Sequence, residues 1–172
     1  MKDVSAAAAG KLHSLFLKKD GSVWAVGWVG SGALADGFSI DLQKKPANLY
    51  DPEKGEGILR VTPIRVMEGA AAISAGTGHS LFLKHDGSVW ASGENEDGRL
   101  GDGTTSDKSR PVPIMKNVEA ISAGFGHSLF LKKDGSAWAT GRNDEGQLGD
   151  GTTTNRIRPV QVMTDVAAIS AG

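Results

Sequence analysis

A chain of 172 residues is long enough for one domain with a buried core. Nineteen basic residues against twenty acidic ones give no positive field for gripping a phosphate backbone, which argues against nucleic acid as a partner. The absence of cysteine removes disulfides, thiolate metal sites and cysteine nucleophiles and leaves the compartment unread, while 24 glycines without a three-residue period, twice the usual ~7%, point to a turn-rich all-β protein.

The opening segment, residues 1–19, has an acid at position 3 and no apolar stretch of the length a signal peptide needs, and no run of 18 apolar residues occurs anywhere. Export and membrane insertion are therefore not expected. Within it, "VSAAAAG" (4–10) reads as a first short strand and "HSLFLK" (13–18) as a second. The second is a nearly continuous apolar run, as expected for a strand covered on both faces. Asp20-Gly21 predicts a tight two-residue hairpin with positive φ angles, leading into a third strand at "SVWA" (22–25). A glycine-rich loop (27–37) and a polar segment (38–62) follow, and then "PIRVM" (63–67), whose leading proline suits an edge strand.

The same four phrases return in residues 70–117 and again in 118–165. Trp90 and Trp138 lie 48 positions apart, as do His79 and His127, and Pro111 and Pro159. Trp24 and Trp90 are separated by 66, so the first copy carries 18 additional residues, and gapless alignment on both sides confines them to 38–62. The chain thus divides into repeat 1 (4–69, with the insertion 38–62), repeat 2 (70–117), repeat 3 (118–165) and one extra opening strand, "VAAISAG" (166–172). Four short strands every ~40–50 residues are the signature of a propeller blade, so a partial β-propeller of about three four-stranded antiparallel blades is expected.

The pattern AxxAGxxHSLxLxxDGxxWxxGxNxxGQLGDGTTxxRxxPVxV, seen almost whole in residues 120–162, resembles the regulator of chromosome condensation repeat in its bacterial form. The likeness extends over nearly the whole chain apart from the insertion. It implies a β-propeller, usually of seven blades, and a role in binding other proteins, as in exchange factors, ligase-associated propellers and a secreted inhibitor of β-lactamases. No residue here matches the functional residues of any one of those activities.

Most recurring motifs read as structural. "GRLGDG" (98–103) and "GQLGDG" (146–151) lack the Gly-Lys-Ser/Thr of a phosphate loop, and Leu34, Leu100 and Leu148 fit as anchors pinning these loops to the core. Asp36, Asp102 and Asp150 recur at repeat spacing, as turn acids do, and the glutamate that closes a calcium loop is missing. Equivalent positions on separate blades are held apart, so His13, His79 and His127 are expected to be buried imidazoles fixing the turn before their strand rather than metal ligands. Trp24, Trp90 and Trp138 belong to blade packing, and His85 to a solvated hairpin tip. No serine, histidine and acid recur together as a nucleophile would require, so neither catalysis nor a cofactor is expected.

Two places depart from the frame. Trp28 and Val29 stand where the other repeats have Glu94 or Arg142 and Asn95 or Asn143, and beside them the insertion contains Phe38, Leu42, Leu49, Tyr50 and Ile58. This apolar excursion is either a lid packed on its own blade, the preferred reading, or a recognition patch. Lys11, Leu12, Thr77 and Phe125, the variable places of AGxxH, form a second candidate surface, because loops on a rigid scaffold carry function.

A three-blade arc leaves two sheet faces of ~350 Å² each, and burying one at ~25 cal/mol per Å² is worth ~9 kcal/mol, on the order of a domain's whole stability. Two copies closing a six- or seven-bladed ring, with a surplus strand as clasp, would cover them, as would a longer array of which this chain is a piece. The function expected is a protein-binding scaffold with a protein partner and a homo-oligomeric ring. The alternative is a carbohydrate-binding module or a hydrolase using the loop acids and Trp28.

Overall fold

Alternation of small and apolar residues between glycine turns makes each repeat a four-stranded antiparallel sheet in the computed structural model, which describes residues 1–38, 50–51, 56–57 and 59–172. The first blade orders β1 (Val4–Ala9), β2 (His13–Lys18), β3 (Val23–Trp28) and β6 (Leu59–Met67) from inside to outside. Between β3 and β6 the insertion contributes a small pair, β4 (Tyr50–Asp51) with β5 (Glu56–Gly57). The second blade comprises β7 (Ala70–Ala75), β8 (His79–Lys84), β9 (Val89–Gly93) and β10 (Lys108–Met115). The third comprises β11 (Val118–Ala123), β12 (His127–Lys132), β13 (Ala137–Gly141) and β14 (Arg156–Met163). Leu42, Leu49, Ile58 and the side chain of Tyr50 lie outside the described residues. The proline-bearing strands β6, β10 and β14 are edge strands, where the missing N–H costs no ladder bond. Among the described residues no helix is long and apolar enough to cross a membrane.

The hairpin turns differ from the two-residue form expected. Gly21 N–H donates to Lys18 O at 3.0 Å and Lys18 N–H to Ser22 O at 2.9 Å, so three residues, 19–21, make the loop. Only its glycine has positive φ, 79° at Gly21, 80° at Gly87 and 79° at Gly135. The aspartate is occupied otherwise. Asp20 Oδ1 accepts from Ser22 N–H at 2.9 Å and Ser22 Oγ at 2.6 Å, and Trp24 Nε1 donates to Ser22 Oγ at 3.1 Å. The same chain recurs at Asp86, Ser88 and Trp90 and at Asp134, Ser136 and Trp138. A lysine covers each indole, with Lys84 Nζ 5.0 Å and Lys132 Nζ 4.7 Å from the ring centres.

Packing runs between blades rather than within them. Leu15, Leu17, Val23 and Ala25 of the first blade enclose Phe82 and Ala70 of the second, while Leu81, Leu83, Val89 and Ala91 enclose Phe130 and Val118 of the third. The full burial expected of "HSLFLK" is therefore met in the middle blade, from His79 to Leu83, whereas in the first blade buried and half-buried residues alternate. Backbone bonds stitch neighbours together, Ala70 N–H to Gly21 O and Val118 N–H to Gly87 O, each at 3.0 Å. Residues 166–172 repeat these contacts against the third blade: Val166 N–H donates to Gly135 O at 3.0 Å and Ala171 N–H to Ser122 Oγ at 2.9 Å. They stand where the inner strand of a fourth blade would stand, with no strand beside them among the described residues.

Phe16 and Phe82 share one register position, opposite Trp24 and Trp90, but Phe82 is fully buried and Phe16 only half-buried. Phe82→Ala should therefore cost about 3–5 kcal/mol and Phe16→Ala clearly less. Urea unfolding midpoints of the two variants check this, and equal losses would contradict inter-blade packing as the source of the core.

Candidate functional site

The AGxxH turn positions a histidine at the start of each second strand by a close approach. A Cβ on Gly76 would lie 2.3 Å from His79 Cε1, so only glycine lets the ring fold over the turn. The first two rings then reach the next blade: His13 Nε2 lies 2.9 Å from Ser80 Oγ, and His79 Nε2 2.9 Å from Ser128 Oγ. The serines in turn donate to Ala33 O and Arg99 O, both at 2.7 Å. A hydroxyl has one proton, and it is spent on the carbonyl, so the imidazole must donate and carries its hydrogen on Nε2. Burial pushes His13 down to about 4, and burial together with the nearby Arg99 charge pushes His79 down to about 3. His127 is lowered by burial as well. These rings are neutral structural donors near neutral pH. Among the described residues no three His, Asp or Glu side chains converge as metal ligands.

The loop acids are equally committed. Asn95, wholly buried, donates through Nδ2 to Asp102 Oδ1 at 3.1 Å and Thr104 O at 3.0 Å, and its Oδ1 accepts from Leu100 N–H at 3.0 Å. Asn143 makes the same contacts to Asp150, Thr152 and Leu148. Hydrogen bonds from Thr152, and then from Arg156, hold the Asp150 carboxyl down to about 2. In the first blade Val29 takes the asparagine's position, wholly buried in the core between blades one and two, and the loop acid Asp36 pairs with Arg60 at 3.0 Å.

Beside the turns lies a cavity of about 360 Å³. Its wall brings Trp28 together with Lys11, Leu12, Thr77 and Phe125, uniting residues that the sequence assigns to two separate surfaces. Leu12 and Phe125 stand exposed at 56% and 59%. His13, Ala33, Gly78, Glu94, Glu96 and Arg99 complete the lining. Arg99 is buried, with Nη1 2.8 Å from Glu94 Oε2 and Nη2 2.7 Å from Asp97 Oδ2, while its Nε finds no partner. Lys11, Thr77 and Phe125 also border a second cavity of about 370 Å³ among the inner-strand ends Ala9, Ala75 and Ala123. Phe38 is outside both linings, exposed and stacked 5.3 Å from the Arg60 guanidinium, and Val29 offers no side-chain surface.

Arg99 and Glu94 were not singled out by sequence reasoning, although a signal exists: Arg99 is a charge in a column otherwise filled by Ala33 and Gln147. The asparagine clamp had a signal too, since Asn95 and Asn143 recur at the spacing of the histidines.

Three wedge-like sheets with inner strands side by side and cores between them define a partial β-propeller. Comparison with protein families finds the regulator of chromosome condensation (RCC1) repeat at residues 70–99 and 118–147 in one form, and at 86–131 and 134–172 in another. The chain belongs to this family. A comparison with curated proteins gives no match. Among solved structures it resembles human WBSCR16 (24% identity, TM-score 0.76, covering 93% of this chain and 39% of that one). It also resembles yeast RCC1 (Prp20) bound to Kap60 (22%, 0.79, 100% and 40%). The structure of Prp20p from Saccharomyces cerevisiae, described with its binding to Gsp1p and histones, is similar as well (19%, 0.80, 100% and 42%). At these identities the likeness establishes the fold, and the chain spans about two fifths of each structure's length.

The depressed histidines set a pH dependence. The folded values of His13 and His79 lie below the ordinary histidine value of 6.5, so below that pH the unfolded chain takes up protons that the folded chain refuses. Stability should be level above about pH 6.5 and fall by on the order of 1.4 kcal/mol per histidine per pH unit below it. Between pH 6.5 and 5 the lowered carboxylates, Asp150 among them, do not yet contribute. Urea midpoints at pH 7, 6 and 5 measure this, and a flat profile would overturn the assignment of neutral buried rings.

Proposed function

We propose that the chain is a non-catalytic protein-binding scaffold, that it recognises its partner at the cavity walled by Trp28, Lys11, Leu12, Thr77 and Phe125, and that its propeller is completed by association of two copies. One observation carries the recognition site: two exposed apolar side chains, Leu12 on the turn of the first blade and Phe125 on that of the third, stand beside one concave wall, with Thr77 of the second blade between them in sequence. Such anchors beside a pocket are the usual centre of a protein interface. The acids Glu94 and Glu96 and the base Lys11 in the same lining suit a partner segment that pairs an apolar side chain with a charged one. Yeast RCC1 (Prp20) is bound to Kap60 in one of these structures and is described with its binding to Gsp1p and histones in the other, which supports a protein as the ligand here.

Glycan binding or hydrolysis would need free loop acids, yet Asp102 and Asp150 are each held by an asparagine and a threonine within their own loop.

The recognition reading is tested by Leu12→Ala with Phe125→Ala. Both side chains are exposed, so the melting temperature should stay within a degree or two while affinity for a partner captured by the native chain falls at least about tenfold. Trp28→Ala should lower the melting temperature instead, because the indole lies against Gly30. A captured partner that binds the double variant as tightly as the native chain would overturn the site.

A further inference from the structure

The bonds that join one blade to the next are present as unmatched halves at the two ends of the arc. His13 with Ser80 and His79 with Ser128 form successive rungs, and the next rung is split: among the described residues His127 has no serine and Ser14 no histidine. The acceptor for the Ser14 hydroxyl also exists, because Gln147 O occupies the position of Ala33 O and Arg99 O. A second contact is split in the same way. Gly37 N–H and Gly103 N–H each donate at 2.8 Å to the outer strand of the following blade, at Ser109 O and Ile157 O. The corresponding Gly151 has nothing within 4 Å of its Cβ position, and the matching acceptor, Val61, stands 56% exposed on the first blade.

The inner strands explain how the halves could meet without a collision. Every other inner segment carries Ile and Ser in succession, Ile73-Ser74, Ile121-Ser122 and Ile169-Ser170, whereas β1 has Ala7-Ala8. The isoleucines of β7 and β11 pack onto the cores. The hydroxyls of Ser74 and Ser122 accept the N–H of Ala123 and Ala171 from the neighbouring inner segment at 3.0 and 2.9 Å, a bond Ala8 cannot make. Val4, with no blade before it among the described residues, stands 37% exposed where Ala70 and Val118 are buried at 1% against the preceding blade. Residues 166–172 are thus a better inner strand for the first blade than β1 is, and they already stand in place at the opposite end of the arc.

Resting on the self-association reading above, we propose that residues 166–172 of one copy pair with β2 of a second copy in place of that copy's β1, seating its Ser14 against His127 of the first. In the register of β7 with β8, Ala171 would then lie opposite Ser14 of the second copy.

The full chain serves for the test. Sedimentation equilibrium should show a concentration-dependent dimer. Ser14→Ala and His127→Ala should each weaken it about tenfold and together no more than either alone, the mark of a shared bond. Ser14→Ala should leave the melting temperature of the dilute monomer unchanged, since that hydroxyl bonds nothing among the described residues of its own chain. Because the chain has no cysteine, Ala171→Cys with Ser14→Cys reports the exchange directly, and an intermolecular disulfide is expected. A monomer at every concentration would overturn both self-association and this interface. A dimer indifferent to Ser14 and His127 and forming no disulfide would leave self-association standing and overturn this interface alone.

Discussion

A blade of this chain has no core of its own, and the constraint from which everything else follows is that its apolar side chains are buried only against another blade. The imidazole-to-hydroxyl bond is the polar counterpart of that burial. It crosses the blade boundary in a buried setting, where an unmet donor or acceptor is expensive, and it fixes the register of one sheet on the next. Proton direction along it is determined as well: imidazole to serine, serine back to a loop carbonyl of the blade that carries the imidazole. The loop between third and fourth strands is thereby tied into the same joint.

Much of this was legible because repetition separates frame from variation. Three copies of one phrase located the four-stranded blades, the tryptophans and the histidines. What escaped was burial of polar groups. Asn95 and Asn143 look like loop surface in a sequence, yet each lies at the centre of its loop and satisfies five backbone and side-chain groups, so Val29 in their place is a core residue rather than an apolar surface. The hairpin was misread for a related reason. Asp-Gly admits two positive φ angles, but here the serine two residues on captures the carboxylate and keeps the aspartate out of the left-handed region.

The candidate site was legible only in pieces. Trp28 was visible as a departure from its column and Lys11, Leu12, Thr77 and Phe125 as a column that varies, but nothing linear states that the two meet. Their meeting follows from the blade geometry: the loop after a third strand and the turn before a second strand lie at the same end of the sheet, and inter-blade packing brings the turns of blades two and three beside the loop of blade one.

A repeat column is silent about burial when its members differ, and Arg99 shows why. Its neighbours in the column are alanine and glutamine, which would suggest a tolerant surface, yet the guanidinium is buried and balanced by Glu94, Asp97 and the more distant Glu96. Isolated, such a charge could not be desolvated; with carboxylates at 2.8 and 2.7 Å it can. The pairing is peculiar to the middle blade, the only one of the three with a neighbour on both sides. Arg99 thereby couples the two halves of the molecule: its carbonyl receives the Ser128 hydroxyl of the third blade, while its side chain lines the cavity that faces the first. The cavity wall and the joint between blades two and three therefore share one residue.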